Sequence, residues 1–390
     1  MTELTKYDKL KEIKMNLIRT REENYINLNP LQTGGRTNAA VRVTASAYVD
    51  GYSVCDYCKG VLHLIESPPI CDLTRTLAEF LGMDEARTTL GAREGKFAVM
   101  HTLLSPGDSI VIDSNKHYTT YVAAEKSCAK IYEVPNTGYP KYEIIPESYK
   151  ETFELVIKET GLVPKLALLT HVDGEYGNLV DAYEVGKICQ EYGVPFLLNT
   201  AYTAGRMEVN GKELLADFIV ASAHKGFGVP GTIGVLATTE KWADKLFRKS
   251  TRYPKKEIEL LGCTARSQSI ASLITAFPYV KERVKHWDEE VKKSRWLVTQ
   301  MEALGEIEQL GIKPTRHDLI RLKTPLFDKI AQKHRKKGYF LYSKLEKRGI
   351  IGIKPGQTQW FKLSTYGLTW EQVKYLYGAF EEIAKEFDNR

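Results

Sequence analysis

Residues 217–226, Asp-Phe-Ile-Val-Ala-Ser-Ala-His-Lys-Gly, contain a short apolar run that leads directly into a lysine flanked by small and polar residues. The run Phe218–Ala221 is continuous and partly β-branched, which is typical of a strand buried on both faces of a parallel sheet. Lys225 therefore follows the carboxyl end of a predicted strand, where open α/β sheets bind their ligands. Partly apolar surroundings lower the pKa of a lysine amine and suit it to Schiff-base chemistry. A merely solvated loop lysine is the alternative interpretation.

The rest of the chain repeats this pattern of short apolar runs separated by helical segments. The predicted strands are Ile110–Asp113, Lys130–Val134, Leu166–His171, Phe196–Asn199, Phe218–Ala221 and Thr232–Ala237. Because the segments between them, such as Ala182–Tyr192, have helical periodicity, the sequence predicts βαβ units. The later predicted elements are a helix at Pro278–Leu304, a strand at Trp360–Ser364 and an amphipathic helix at Trp370–Phe387.

These elements predict an α/β fold with a large domain built on a mostly parallel sheet and a smaller C-terminal α+β domain. Residues 1–60 form an N-terminal helix (about 6–23) and an arm, residues 61–285 the large ligand-binding domain, and residues 286–390 the small domain. At 390 residues the chain is long enough for both domains.

Composition excludes several classes of protein. With 43% hydrophobic and 27% charged residues, the chain is neither disordered nor fibrous. Six cysteines are too few for a disulfide-stapled secreted scaffold. Since there is no apolar signal core at the N-terminus and no uncharged run that could span a bilayer, we expect a cytoplasmic protein without a membrane partner. The net charge of +6 permits a polyanionic partner without demonstrating one.

The segment Thr88–Lys96, Thr-Thr-Leu-Gly-Ala-Arg-Glu-Gly-Lys, opens an apolar-periodic helix with small residues. Small residues at a helix N-terminus expose backbone N–H groups that can bind a phosphate. The segment is not a Walker A loop, because one residue is missing and Phe97 follows the lysine. An ordinary glycine turn before a helix would have the same sequence, so both interpretations stay open on this segment alone.

Two further candidates lie at the ends of predicted strands. Asn199 begins the sequence N-T-A-Y-T-A-G-R, and His117 follows the strand that ends at Asp113. An imidazole in the second position could stack on a planar ligand, although a capping or surface histidine is the commoner explanation. Since all these segments lie at carboxyl ends of predicted parallel strands, we expect them to meet.

Taken in order, these motifs resemble the fold-type-I pyridoxal-phosphate (PLP) enzymes, particularly the cysteine-desulfurase-like branch. The similar stretch runs from Thr88 to about Ala237 and also includes the H-V-x-x-E-x-G segment His171–Gly177. The resemblance implies that Lys225 binds the cofactor as a Schiff base, and that PLP supplies the electron sink. The other cofactor-binding residues that it implies are Ala92, Arg93, His117, Asn199, Ser222 and His224.

Two departures from this pattern carry information about the substrate. Asn199 stands where the family usually has Asp, and an amide brings no negative charge to favour a protonated pyridine nitrogen. Lys362, in Trp360–Ser364, stands where enzymes of this branch that act on free amino acids have an arginine for the α-carboxylate. A lysine cannot form the two parallel hydrogen bonds by which an arginine binds a carboxylate. This difference predicts a substrate without a free carboxylate, such as an aminoacyl ester on tRNA. The alternative is that another arginine has this task.

Nearly the whole chain resembles the archaeal O-phosphoseryl-tRNA:cysteinyl-tRNA synthase family. The similarity includes the arm Ile26–Gly35, the pair Cys55 and Cys58 in C-D-Y-C, and Cys263. This resemblance implies PLP-dependent β-elimination of phosphate from phosphoseryl-tRNA(Cys), followed by addition of sulfur. It also implies a homodimer that acts alongside the phosphoseryl-tRNA synthetase.

The three cysteines of this resemblance are candidates for carrying the sulfur. A zinc site would need a second matched pair, and the sequence has no other C-x-x-C. A cysteine persulfide suits sulfur transfer, while three converging cysteines could instead hold an iron–sulfur cluster. The sequence leaves these two open, and it does not identify the sulfur donor. The predicted catalytic residues are Lys225, His117, Cys55, Cys58 and Cys263.

Two other functions remain as alternatives. One is a cysteine desulfurase-like sulfurtransferase or lyase that acts on a free amino acid, and the other is a non-catalytic tRNA-binding or iron–sulfur scaffold subunit. The stretches Lys241–Lys256 and Lys333–Arg348 each carry a local excess of six positive charges. They are candidates for contact with a tRNA backbone, although such runs are usually solvated faces.

Overall fold

The computed structural model describes residues 25–29, 37–49, 53–54, 70–254, 256–261 and 265–388. The helix predicted at about residues 6–23 lies outside these ranges. The strands are β1 Ile26–Asn27, β2 Ser53–Val54, β3 Glu85–Thr89, β4 Ser109–Asp113, β5 Lys130–Val134, β6 Leu166–Thr170, β7 Phe196–Asn199, β8 Phe218–Ala221, β9 Gly234–Thr238, β10 Ala265–Arg266, β11 Glu308–Leu310, β12 Leu319–Lys323, β13 Ile350–Ile351 and β14 Trp360–Ser364.

Helices alternate with these strands along most of the chain. They are α1 Ala39–Ala47, α2 Ile70–Phe80, α3 Ala92–Leu103, α4 Tyr118–Lys126, α5 Glu147–Thr160, α6 Ala182–Tyr192, α7 Glu240–Leu246, α8 Ser267–Arg283, α9 Trp287–Ala303, α10 Pro325–Lys333, α11 Tyr339–Glu346 and α12 Trp370–Asp388. In the described ranges, no helix combines the length and the apolar character needed to cross a membrane.

The described residues form a large sheet of seven strands in the order β3-β9-β8-β7-β6-β4-β5. Neighbouring strands from β8 through β5 are parallel, whereas β9 runs antiparallel to both of its neighbours. Alternate side chains enter separate cores on the two faces, such as Leu198 and Ile219 on one face and Leu197 and Val220 on the other. Because both faces are covered, the strands are continuous apolar runs, as the sequence predicted.

Most of the predicted strands match the structure closely. Those at β5, β7 and β8 have the predicted bounds, and β4 and β6 differ by one residue. The strand predicted at Thr232–Ala237 begins two residues later in the structure, as β9. Its predicted direction was also wrong, because β9 runs antiparallel to β8. β3 was not predicted from the sequence, because it contains charged residues and is not a continuous apolar run. Its Arg87 forms ion pairs with Glu85 and Glu257.

The single helix predicted at Pro278–Leu304 was also wrong. The chain forms α8, a 3₁₀ turn at Val284–His286 and then α9, and Pro278 lies inside α8. The signal that the analysis missed is the acidic first turn of α9, Asp288 to Glu290, since acidic side chains stabilise the positive end of a new helix dipole.

A second, smaller sheet has the antiparallel order β11-β12-β14 and its own core. Stacked or tilted phenylalanine rings, including Phe361 against Phe380 with centroids 5.6 Å apart, fill this core. The segment of β1 belongs to the same core, because β1 pairs with β13 and Leu28 is fully buried there. The division into residues 1–60, 61–285 and 286–390 stays a prediction.

A fully buried ion pair joins the two sheets. Nη1 of Arg206, in the loop after β7, lies 2.7 Å from Oδ2 and 2.8 Å from Oδ1 of Asp318, which immediately precedes β12. Neither side chain is exposed to solvent. The hydroxyl of Ser364, at the end of β14, also donates to this carboxylate. Burial of both charges makes each depend on the other, because neither has water to replace its partner.

We expect Asp318→Asn to destabilise the fold strongly, because the guanidinium of Arg206 would keep its charge and lose its counterion. Removing one partner of a buried pair costs about 3–5 kcal/mol of unfolding free energy. The change can be measured by urea denaturation followed by circular dichroism. The control is Glu282→Gln, which breaks an exposed pair with Lys285 and should leave the midpoint unchanged. Equal midpoints for both variants would contradict this role of the buried pair.

Candidate active site

Lys225 lies in the turn after β8, where its backbone N–H donates to the carbonyl of Ser222 at 2.9 Å. Its Nζ is 3.9 Å from the centroid of the Tyr202 ring. Burial, and then the positive charge of Arg206, lower the pKa of Lys225 to about 8. About a tenth of this amine is therefore neutral at pH 7, which is far more than for an ordinary lysine. Such an amine can attack a carbonyl carbon at neutral pH.

Tyr202 forms the floor beneath this amine, and the sequence analysis did not assign it a role. Its side chain is buried, and burial raises the pKa of its phenol above the ordinary value. A Cβ added to Gly174 would lie 3.3 Å from Cε2 of Tyr202, so the loop after β6 packs closely on the ring. The signal was present in the N-T-A-Y motif, where an aromatic residue follows the strand-end asparagine by three positions.

The N-terminus of α3 faces the same region. Gly91 precedes the helix with a φ of +141°, and no side chain caps the helix there. A Cβ on Gly91 would lie 3.5 Å from Cε1 of His224, which places that imidazole beside the helix end. Nδ1 of His224 lies 2.9 Å from the carbonyl oxygen of Ile233. The first backbone N–H groups of α3, those of Ala92 and Arg93, can therefore bind an anion.

Asn199 ends β7 and is buried. Its Oδ1 accepts a hydrogen bond from the backbone N–H of Ala201 at 3.3 Å. This bond orients the amide, and within the described ranges Nδ2 has no hydrogen-bond partner. The group that Asn199 offers to a ligand is thus a donor, which can bind only a lone pair.

His117 caps α4, and its ring is held from below by Thr119. Nδ1 of His117 lies 2.9 Å from Oγ1 of Thr119, which in turn accepts from Nζ of Lys96 at 2.6 Å. Because Nδ1 of His117 also accepts from the backbone N–H of Thr119, it is an acceptor for the threonine hydroxyl as well, and the imidazole hydrogen lies on Nε2. Burial, and then the charges of Lys96 and Lys225, lower the pKa of His117 to about 4. The imidazole is therefore neutral at physiological pH.

Lys96 is a second buried amine that the sequence analysis quoted without assigning it to the site. It is 1% exposed and donates to the hydroxyls of Thr119 and Thr120. Burial, and then the charge of Lys225, lower the pKa of Lys96 to about 7. The amines of Lys96 and Lys225 thus repel each other, and this repulsion favours an anionic ligand between the surrounding elements.

An ion-pair network occupies the position predicted for substrate recognition at Lys362. Its Nζ donates to Oε1 of Glu175 and to the carbonyl of Gly174, both at 2.9 Å. The other oxygen of Glu175 accepts from Nη1 of Arg321 at 2.6 Å. Arg321 is the register partner of Lys362 on the neighbouring strand. The structure therefore engages Arg321 and Lys362 with one carboxylate.

The structure places most of the predicted site residues at one edge of the large sheet. His117 follows the carboxyl end of β4, Asn199 is the last residue of β7, and Lys225 follows β8. Ser222 is buried directly after β8. Ala92 is buried at the start of α3. The side chain of Arg93 is exposed, so Arg93 offers the site its backbone N–H group and not its guanidinium.

The predicted cysteines Cys55, Cys58 and Cys263 lie outside the described residues. Among the residues that the structure does describe, no cluster of histidine, cysteine or acidic side chains could hold a metal ion. The apolar or helical sequence around Cys71, Cys128 and Cys189 predicts that these cysteines lie in the core. In the structure Cys189 is buried but Cys128 is exposed. The prediction for Cys128 was wrong: it has a positive φ of 52° in the turn between α4 and β5.

Comparison with known proteins identifies the family. A family described as O-phosphoseryl-tRNA(Sec) selenium transferase, SepSecS, matches residues 91–385. The O-phospho-L-seryl-tRNA:Cys-tRNA synthase of Methanothermobacter thermautotrophicus is 52% identical over 370 residues, which cover 95% of this chain and 98% of that protein. The chain belongs to the O-phospho-L-seryl-tRNA:Cys-tRNA synthase family. This result confirms the resemblance found in the sequence.

Solved structures agree with this assignment to the synthase family. A chain from a crystal structure of a complex between SepCysS and the SepCysE N-terminal domain has a TM-score of 0.90 and 49% identity, and the match covers 99% of this chain and 100% of that chain. A cysteine desulfurase from Thermococcus onnurineus NA1 has a TM-score of 0.75 at 20% identity, covering 94% and 96% of the two chains. The latter likeness concerns the fold, which is that of the fold-type-I PLP enzymes, as predicted.

The described residues of this synthase-family chain fit PLP. The uncapped start of α3 matches a phosphate, and the amine of Lys225, with its lowered pKa, matches an aldehyde. Nδ2 of Asn199, which has no hydrogen-bond partner among the described residues, lies at the end of the strand beside β8 and matches a ring nitrogen that keeps its lone pair. A neutral imidazole at His117 can stack on the ring without adding charge.

We expect the amine of Lys225 to react with acetic anhydride with a midpoint near pH 8 in protein freed of PLP. The reactive form is the neutral amine, whose fraction rises as the pH passes through the pKa. Quantitative mass spectrometry of the Lys225 peptide across a pH series measures this titration. The same peptide in urea-denatured protein should titrate near the ordinary lysine value. A midpoint that is the same in folded and denatured protein would contradict the effect of burial.

We expect Asn199→Asp to protonate the ring nitrogen of bound PLP, because a carboxylate favours the pyridinium and an amide donor does not. PLP labelled with ¹⁵N at the ring reports this directly through its nitrogen chemical shift. The wild type should show an unprotonated nitrogen and the variant a protonated one at the same pH. A protonated nitrogen in the wild type would refute the donor role of Asn199.

Proposed function

We propose that this chain converts O-phosphoseryl-tRNA(Cys) to cysteinyl-tRNA(Cys), with PLP held by Lys225. The observation that carries the choice of substrate is the engagement of Lys362 by Glu175 and Gly174. A free amino acid would need a cation for its carboxylate, whereas an aminoacyl ester has no such charge. The relatives at about half identity are named for the same conversion, which supports this proposal.

Bound PLP supplies an electron sink for the electrons of the substrate Cα–H bond. Nζ of Lys225 takes the Cα proton, because its lowered pKa leaves a neutral amine above the ring of Tyr202. Loss of that proton and of the substrate phosphate opens the β-carbon to sulfur. Meanwhile the N–H of Nε2 on neutral His117, oriented by Thr119, can hydrogen-bond an oxygen of the reacting group.

The cofactor contacts follow from the groups already described. The backbone N–H groups of Ala92 and Arg93 would hold the phosphate, with Ser222 and His224 beside them. Nδ2 of Asn199 would donate to the ring nitrogen. This lowers the strength of the electron sink, which suits elimination of a good leaving group from the β-carbon.

In this proposal one of the three cysteines carries the sulfur as a persulfide, charged by a donor of sulfane-level sulfur. The outer sulfur adds to the β-carbon, and the thiolate of a second cysteine then attacks the sulfur–sulfur bond, which releases the product thiol and leaves a disulfide between the two cysteines. Support comes from the two-residue strands β2 and β10, which pair antiparallel with Val54 opposite Ala265. Cys55 directly follows Val54, and Cys263 precedes Ala265 by two residues. An iron–sulfur cluster on the same residues is the alternative.

Assembly is also part of the proposal. We expect a cytoplasmic homodimer that works alongside the phosphoseryl-tRNA synthetase. The solved relative in complex with a SepCysE domain makes a protein of that kind a candidate partner for this chain. Gel filtration with light scattering, with and without the synthetase, tests these interactions independently of catalysis.

A single-turnover assay of the holoenzyme tests the activity. Phosphoseryl-tRNA(Cys) with a persulfide-forming donor and a thiol reductant should yield cysteinyl-tRNA and inorganic phosphate, measured by acid gel and by phosphate release. Free phosphoserine and free cysteine are the matched comparisons and should react far more slowly. Faster release of sulfide or alanine from free cysteine would favour a desulfurase, and absence of any turnover with PLP bound would favour a scaffold.

We expect Cys55→Ala, Cys58→Ala and Cys263→Ala each to suppress formation of cysteinyl-tRNA, because each removes a thiol from the proposed sulfur carrier. The absorption of bound PLP should be unchanged, since none of these residues belongs to the proposed cofactor contacts. The control is Cys128→Ala, which alters an exposed cysteine elsewhere. Full activity of a Cys55→Ala, Cys58→Ala double variant with a persulfide-forming donor would refute the carrier role.

A further inference from the structure

The amine of Lys96 is buried between two helices that both carry groups of the candidate active site. Lys96 lies in the second turn of α3, whose N-terminus faces the site, and it is 1% exposed. Its Nζ reaches α4, where it donates to the hydroxyl of Thr119 at 2.6 Å and to that of Thr120 at 3.1 Å. One side chain thus joins the helix that can bind an anion to the helix that His117 caps.

This amine carries its charge without a direct counterion. Asp113, at the end of β4, favours the charged form of Lys96, but the two form no ion pair in the described part of the chain, and both Lys225 and Arg93 oppose that charge. A buried charge without a carboxylate partner is costly, and an apolar side chain of the same length would fill the space between the helices at a lower cost. Features that oppose stability in this way are expected mainly at functional sites.

Thr119 connects this amine to the imidazole of His117. Oγ1 of Thr119 accepts from Lys96 and lies 2.9 Å from Nδ1 of His117. Nδ1 also accepts from the backbone N–H of Thr119 at 3.4 Å. Since Nδ1 is an acceptor, the hydroxyl that faces it is a donor, and the oxygen of the same hydroxyl receives the hydrogen of the lysine. The hydrogen bonds therefore run in one direction, from Lys96 through Thr119 to the ring.

The charge of Lys96 acts on the same imidazole through space. After burial, this charge is the largest cause of the lowered pKa of His117, ahead of Lys225. Lys362 acts in the same direction, and Glu175 opposes it. Because the pKa of Lys96 is about 7, the amine is mostly charged below that pH, where an ordinary histidine takes up its proton. The repulsion is therefore present in the range in which His117 would otherwise become charged.

We propose that Lys96 is a positioning residue that holds His117 as a neutral imidazole with its hydrogen on Nε2. It acts by two routes, the hydrogen bonds through Thr119 and the repulsion of a second positive charge, and in this role it touches neither substrate nor cofactor. A ring held in this way can stack on a planar cofactor and still offer one N–H to the reacting group. The competing explanation is that Lys96 merely packs α3 against α4.

The test follows the two ring nitrogens of His117 by NMR, in the full chain labelled with ¹⁵N-histidine, both with PLP and freed of it. The chemical shifts report the tautomer, and their change with pH gives the pKa of the ring. His117→Gln identifies the signals among those of the eight histidines. The variants are Lys96→Met and Thr119→Val, and circular dichroism verifies that each is folded. The matched control is Lys293→Met, because Lys293 is a second helical lysine, 6% exposed, whose amine pairs with Glu290.

In the wild type we expect a neutral ring with its hydrogen on Nε2 from about pH 8 down to about pH 5, because the pKa of His117 is about 4. Lys96→Met should raise that pKa by about one unit or more, toward the ordinary value, which is about a tenfold change in proton affinity. The ring of this variant should then titrate within the same pH range. Lys293→Met should match the wild type, since the charge it removes lies beside Glu290 and not beside His117.

Thr119→Val separates the two routes. Valine resembles threonine in shape but has no hydroxyl, so the charge of Lys96 stays while its hydrogen-bonded link to the ring is lost. We expect the ring to remain neutral in this variant but to populate both tautomers, because Nδ1 keeps only the 3.4 Å bond from the backbone of residue 119. This variant also keeps the test decisive if Lys96→Met fails to fold.

A His117 ring that stays neutral in Lys96→Met over this pH range would overturn the inference, because Lys96 would then only pack the two helices. If that variant does not fold, an unchanged single tautomer in Thr119→Val would overturn it. An equal rise of the pKa in Lys293→Met would do so too, since the cause would be a general loss of packing. The inference rests on the proposed function only for the use that the reaction makes of the ring. Failure to convert phosphoseryl-tRNA would refute that function and leave these measurements unaffected, so the two failures are distinguishable.

Discussion

The buried pair of Arg206 and Asp318 is the interaction on which the arrangement of the site depends. It fixes the loop after β7 to the start of β12, and that loop carries Tyr202, whose ring lies beneath the reacting amine. The charge of Arg206 also lowers the pKa of Lys225. One ion pair thus joins two sheets and adjusts the reactivity of the lysine between them. Its position in a dry interior makes either charge costly without the other.

The candidate site concentrates positive charge where an anion must bind. Two buried amines, Lys96 and Lys225, repel each other, and both lower the pKa of His117. The N-terminus of α3 adds to this positive potential, because it is the positive end of the helix dipole. This preorganised positive potential favours the binding of a phosphate. The same charges lower the pKa values of the buried amines, so they contribute both to binding and to reactivity.

Sequence reasoning succeeded where a residue's environment follows from its neighbours along the chain. Apolar runs such as Phe218–Ala221 identified buried strands, and strand ends identified Asn199 and Lys225, because parallel strands bring their carboxyl ends to one edge. It failed where tertiary contacts decide. The charged strand that contains Arg87 and the burial of Lys96 both depend on partners distant in sequence, and no local pattern reveals them. The cysteine assignments rest on resemblance alone.

The neutralised cation at Lys362 has a consequence for selectivity inside a cell. Free phosphoserine shares the amino group and the side chain of the tRNA-bound substrate, and free cysteine shares its amino group, so both are chemically similar to the substrate at the reacting end. Because Lys362 already pairs with Glu175, it does not offer a free cation to the carboxylates of these small molecules. The proposed discrimination would then act at binding, because the partly exposed pair of Lys362 and Glu175 occupies the cation that a free carboxylate would use.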